Sequence, residues 1–168
     1  NATKAMASTS NFESLLSIIT TSSNSSIKNS AVDVLSNVVR KSDDPSAFAK
    51  GMVGTYKNTA DEDSKVALLR LMGSAGGDEA AGFVQESLEG DNPKMKVAGV
   101  YALRYWPDDS QFDTLFEYTS NEEDDRLRGE GFTALIDFLK DGPELDDDDK
   151  AIYWSEVAEI STGGTEQR

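Results

Sequence analysis

Cysteine and histidine are both absent from the 168-residue chain. Without cysteine there is no disulfide, no thiolate zinc site and no thiol nucleophile. Without histidine there is no Ser–His–Asp triad, and the commonest general base is missing. No apolar run approaches the ~20 residues of a membrane-spanning helix. No segment alternates apolar and polar residues with period two, so strands are not expected. Basic residues are scarce: 16 Lys and Arg stand against 31 Asp and Glu, a net charge of −15. Such a field repels polyanions, which disfavours nucleic acid and anionic lipid as partners. A basic partner or a cation-rich medium fits it better, and with it an extracytoplasmic setting rather than a cytoplasmic one.

The apolar fraction, 38%, is below the ~45–50% of an average domain. It allows a thin core, better suited to a stack two helices thick than to a deep globule. Internal periodicity supplies the pattern for such a stack. Four segments carry a basic residue, a third-offset residue that is small or apolar, and an apolar pair six and seven positions on. They begin at Lys28 (Ala31, Val34-Leu35), Lys65 (Leu68, Leu71-Met72), Lys96 (Gly99, Ala102-Leu103) and Arg128 (Gly131, Ala134-Leu135). Ten positions after each basic residue comes another apolar one: Val38, Ala75, Trp106 and Phe138. Offsets of three, six, seven and ten share one face of a helix with ~3.6 residues per turn. The basic residues lie 37, 31 and 32 positions apart, within the range of helical-hairpin repeats.

Shorter amphipathic stretches precede these segments, around Phe12–Ile19, Phe48–Tyr56, Phe83–Leu88, Phe112–Tyr118 and Ile152–Ile160. Each is expected to be the first helix of a hairpin. Asp44-Pro45 and Asn92-Pro93 read as N-caps followed by proline. Thr59 to Glu62 and Ser120 to Glu123 read as capping boxes. Gly76-Gly77, Trp106-Pro107 and Gly142-Pro143 are expected to stop helices. The glycines from Gly73 to Gly77 lack the Lys-Ser/Thr ending of a phosphate loop and follow a helix.

The basic–x–x–small–x–x–Ala–Leu signature, clearest from Lys96 to Leu103 and from Arg128 to Leu135, resembles HEAT repeats. The closest likeness is to the short kind associated with phycobilisome-lyase proteins. The resemblance covers residues 11–162 and implies an all-α fold, an α-α superhelix of about four hairpins plus a partial fifth. The hairpins are expected at about 11–41, 45–76, 79–106 and 111–140, with a further first helix at 146–161. Residues 1–10 would be flexible or extend the first helix, and 163–168 would form a tail. The first repeat, with Asn29-Ser30, departs most from the pattern. Arg168 could open a fifth second helix, in which case further repeats of a longer chain follow. Tyr153, Trp154, Val157 and Ile160 would then pack on them; the alternative is a closing helix packed on the stack.

Most of the family are scaffolds, which implies a non-enzymatic protein that binds a protein or peptide. In a solenoid the second helices line the concave side. Offset five, occupied by Asp33, Arg70, Tyr101 and Thr133, should therefore face the groove, joined by Arg104 and Tyr105. Tyr and Arg are the residue types most enriched at binding hot spots, whereas Trp106, at the tenth offset, belongs to the core. Lys28, Lys65, Lys96 and Arg128 are expected to form a structural ladder. A base early in a helix opposes the helix dipole and needs a carboxylate nearby; the turns offer Asp43, Asp44, Asp61, Asp63, Asp78, Asp108 and Asp109. The family also raises a bilin lyase-like or chaperone-like role, although no histidine or cysteine is present to attach a tetrapyrrole. A third reading is a calcium-assisted structural module of an extracellular protein. Its acidic runs, Asp61–Asp63, Glu122–Asp125 and Asp146–Asp149, lack the calcium-loop pattern and stand where helix starts favour acids. No cofactor or metal is expected.

Overall fold

A computed structural model describes the backbone of residues 2–163 and the side chains of residues 11–161. Arg168 lies outside the described residues. Among them all regular structure is helical, so the fold is all-α. The first helices are α1 (Ala2–Thr21), α3 (Ser46–Asn58), α5 (Asp78–Glu89), α7 (Phe112–Asn121) and α9 (Asp147–Gly163). The second helices are α2 (Ser25–Arg40), α4 (Glu62–Met72), α6 (Pro93–Arg104) and α8 (Asp125–Asp141), and a single 3-10 turn precedes α7.

Each second helix starts in the same way. Asn24, Asp61, Asn92 and Asp124 are N-caps in extended backbone, and each side-chain oxygen accepts one or two amide N–H groups of the first turn. The backbone carbonyl of each cap accepts from the amide of the basic residue four positions on: Lys28, Lys65, Lys96 and Arg128. The repeat therefore begins with Asn or Asp four positions ahead of the base. The capping boxes expected at Thr59 and Ser120 do not form. Those hydroxyls donate to the carbonyls of Thr55 and Phe116 and close the preceding helices instead. Gly76 and Gly77 end the α4 segment with φ of 68° and 94°, a backbone region open mainly to glycine.

Helices α1, α3, α5 and α7 each pack on the second helix that follows, α9 packs back on α8, and the second helices pack in succession, α2 on α4, α4 on α6, α6 on α8. Offsets three, six, seven and ten are buried in the second, third and fourth repeats, Trp106 included. Small residues at the third offset set the spacing within hairpins. A Cβ on Gly99 would lie 2.3 Å from Ser87 Oγ on α5, and one on Gly131 would lie 2.4 Å from Thr119 Oγ1 on α7. Between repeats, a Cβ on Gly73 would lie 2.1 Å from the Ala102 carbonyl oxygen, so the sixth offset of α6 faces α4.

The first repeat breaks this register. Val34 and Val38 are 50% and 39% exposed, while Val32 and Val39 are buried with Ala31 and Leu35. The sixth and tenth offsets face the preceding second helix, as Ala102 does, and among the described residues nothing precedes α2 in that row. First helices are joined by aromatic pairs instead: Phe12 with Phe48, Tyr56 with Phe83, and Phe112 with Tyr153 at 3.9 Å between ring centroids. The last pair fits the packed alternative for α9. Tyr153, Val157 and Ile160 pack on the existing core, and Trp154 and Ile152 are the side chains left exposed.

Candidate functional site

Arginine closes three successive second helices: Arg40 on α2, Arg70 on α4 and Arg104 on α6. The free carbonyls at a helix C-terminus favour a cation there, and stacking the helices brings the three last turns together. Tyr101 on α6 and Tyr105, which caps that helix four residues on, stand between them. Their ring centroids are 4.9 Å apart at 58°. The Arg70 guanidinium lies 4.0 Å from the centre of the Tyr101 ring; those of Arg40 and Arg104 lie 5.0 and 5.1 Å from that of Tyr105. Each such cation–π contact contributes about 0.5–2 kcal/mol, more as the site dries.

The three arginines differ in what else they touch. Arg104 reaches Asp137 on α8 at 2.5 Å, both half-buried, so its charge is balanced. Arg40 and Arg70 have no ion-pair partner among the described residues. Arg70 and Arg104 each keep a buried Nε with no hydrogen bond. Burial raises the Tyr105 hydroxyl above its usual pKa, so it remains a neutral donor.

Two clefts meet at Arg70 and Tyr101. One, of about 310 Å³, runs to α2 and is lined by Asp33, Arg40, Ser74 and Tyr105. The other, of about 460 Å³, runs towards the start of α8; Val66, Val97, Ala98 and Pro93 wall it, with Arg126 and Lys94 at its rim. Polar and cationic at one end, apolar at the other, they form one groove along the second-helix row. Four of the five residues expected at a binding face, Arg70, Tyr101, Arg104 and Tyr105, are brought together here. Thr133 is not among them. It is exposed on α8, and its hydroxyl donates to the Gly129 carbonyl of its own helix. Arg40 was missed by the sequence reading, although a basic residue in the last turn of a predicted helix is a readable signal.

The basic ladder resolves into individual contacts. Lys28 is buried, its Nζ donating to Asp61 Oδ2 at 2.8 Å and to Ser64 Oγ at 2.7 Å. The Ser64 hydroxyl also lies 3.0 Å from the Ile19 carbonyl, so one node joins α1, α2 and α4. The Lys28 ammonium and the Ser64 hydroxyl pull the Asp61 pKa down from 3.8 to about 2. Lys96 pairs with Glu122 at 2.8 Å, and that contact holds the Glu122 carboxyl below its usual range. Burial and the Glu122 charge push the neighbouring Tyr118 hydroxyl up. Lys65 sits over the Tyr56 ring at 5.3 Å. Arg128 contacts Asp125 of its own helix and donates to the Glu122 carbonyl. Of the turn aspartates expected as partners of the ladder, Asp61 takes that place, and Glu122, which was not foreseen, serves Lys96. Asp63 instead pairs with Lys94, which also reaches Glu62.

The acidic runs lie at helix starts: Asp61 and Asp124 are caps, and Asp147 to Asp149 occupy the first turn of α9. Among the described residues no three acidic side chains converge as metal ligands would, and no helix is long and apolar enough to cross a membrane. No protein-family model matches the chain, and neither a curated protein nor a solved structure matches it significantly.

Proposed function

We propose that this chain is a non-enzymatic interaction scaffold, a HEAT-like stack of helical hairpins that holds a protein or peptide segment along its second helices. One observation carries the reading: two arginines without carboxylate partners, Arg40 and Arg70, lie against the faces of Tyr101 and Tyr105 in an open groove. In a chain with almost twice as many acids as bases, an arginine that only packs on a ring is available to something else. Arg and Tyr are also the side chains that dominate binding energy where they cluster. The repeat supports the reading indirectly, because stacked hairpins present a continuous face of second helices without spending core residues on it.

Selection of a random dodecapeptide phage library on the whole chain tests the proposal, with a Tyr101→Ala/Arg70→Gln variant as the counter-target. Peptides enriched on the wild-type chain and lost on the variant are the expected result, provided that both melt at similar temperatures. Enrichment that does not distinguish the two chains would place binding elsewhere and remove the groove.

A further inference from the structure

We infer that the groove takes an acidic peptide segment carrying one apolar anchor residue, a carboxylate seated on Arg40 and Arg70 and the anchor in the cleft walled by Val66 and Val97. The inference rests on the scaffold reading and narrows it to a ligand chemistry.

Three observations lead there. The first is charge. Arg40 and Arg70 come from different helices and flank one cleft, and Arg104, the third arginine of the cluster, is balanced by Asp137. Two cations without an ion-pair partner among the described residues outnumber Asp33, the carboxylate lining the same cleft, and leave it with a net positive charge within a strongly acidic molecule. The second is geometry. The Arg40 and Arg70 guanidinium carbons lie over tyrosine rings at 5.0 and 4.0 Å, contacts that use none of their N–H groups. The forked donors of a guanidinium match the two oxygens of a carboxylate, which is why arginine rather than lysine suits such sites. The third is the adjoining cleft. Arg70 and Tyr101 line both clefts, so a chain bound by its carboxylate at Arg70 continues over Val66, Val97 and Ala98, which are apolar. Lys94 does not compete for the ligand, because Glu62 and Asp63 already hold it.

The anchor is required by the net charge. An acidic ligand approaches a chain of charge −15 against long-range repulsion, which acts beyond the ~8–10 Å screening length only weakly but is never favourable. Local pairing with two arginines must therefore be joined by apolar burial. Asp33, at the polar end of the groove, adds direction. It lines the cleft that holds the two arginines, so that end accepts one carboxylate and repels a second, and the apolar residue lies towards α6 and α8. The groove thus reads opposite in sign to the basic partner that net charge alone favours.

Fluorescence anisotropy with three labelled synthetic peptides tests this. The first carries a single Leu flanked by Asp and Glu; the second has Lys in place of the acids; the third is acidic with Gly in place of Leu. The first is expected to bind about tenfold or more tightly than either counterpart, the scale of one charge-assisted contact or one buried aliphatic side chain. Arg40→Gln, at an exposed position, should weaken the first peptide by a similar factor while lowering the melting temperature by no more than the loss of one exposed cation–π contact, and added salt should weaken binding further. Equal or tighter binding of the Lys peptide, indifference to the Leu, or no binding by the acidic peptide would each overturn the inference. If library selection still returns groove-dependent peptides that are basic or uncharged, the scaffold stands and the ligand class is wrong. If selection returns none, both fall.

Discussion

Alanine at Gly131 and alanine at Gly129 should change stability in opposite directions, although the two positions are two residues apart on α8. Glycine inside a helix costs about 0.5–1 kcal/mol relative to alanine, because more backbone freedom is lost. At Gly129 nothing lies within 4 Å of the added methyl, so Gly129→Ala should stabilise by about that amount. At Gly131 the methyl would meet Thr119 Oγ1 at 2.4 Å, its Cβ at 3.1 Å and its Cγ2 at 3.2 Å. The hydroxyl cannot rotate away freely, since it donates to the Leu115 carbonyl at 2.7 Å. Overpacking of this kind costs about 1–3 kcal/mol, which exceeds the propensity gain and leaves Gly131→Ala destabilised by about 1 kcal/mol. Thr119→Ala removes Oγ1 and Cγ2 and leaves a contact that a few tenths of an ångström relieve. In that background Gly131→Ala should be neutral or better, giving a favourable coupling of about 1–2 kcal/mol in the double-mutant cycle. Urea unfolding followed by far-ultraviolet circular dichroism measures all of this, with comparable slopes required across the set. Should Gly131→Ala stabilise as much as Gly129→Ala, α7 and α8 do not approach closely at Thr119, and the case for small residues at the third offset collapses.

Two further predictions concern the first repeat. Val34→Gln should leave stability within about 0.5 kcal/mol of wild type, whereas Leu71→Gln at the matching position of α4 should cost about 3 kcal/mol or more, compared by the same urea titration; equal losses would mean that α2 is buried on its sixth-offset face after all. Asp61 has a folded pKa below its unfolded one, so it stabilises fully above about pH 4 and progressively less as pH falls towards about 2. The gap in melting temperature between wild type and Asp61→Asn should accordingly narrow over that interval, and a gap independent of pH would show that Lys28 and Asp61 are not paired.

The sequence reveals the stack because one rule, a shared face at 3.6-residue periodicity, operates inside each helix and needs no knowledge of neighbours. The positions it selects from Leu68 to Phe138 are buried in three successive repeats. The same rule fails at Val34 and Val38, since burial at those offsets depends on a helix standing ahead of α2 and not on the pattern within it. The cap at Asn92 reads correctly from its proline, whereas two other helix starts mislead for a different reason. The Thr59 and Ser120 templates match a capping box locally, yet the four-residue interval from Asn24, Asp61, Asn92 and Asp124 to the bases shows the true start, and that interval is visible only when the repeats are aligned on one another.

The groove was partly legible for the reason the core was. Arg70 and Tyr101 share the fifth offset, and Tyr105 follows Tyr101 by one helical turn, so a common exposed face could be read from spacing. Which charges on that face are already neutralised could not. Arg104 and Asp137 are 33 positions apart in sequence and meet only because α6 packs on α8. Arg40 reaches Tyr105 across two interfaces, α2 on α4 and α4 on α6. Thr133 has the right offset and the wrong neighbours: an exposed hydroxyl on a helix finds the carbonyl four residues back before it finds a ligand. Periodicity thus identifies a face, while pairing between successive helices decides which side chains on it are consumed internally. In this chain that second step pairs Arg104 and the Thr133 hydroxyl internally and leaves Arg40 and Arg70 without an ion-pair partner among the described residues, which gives the proposed groove its sign.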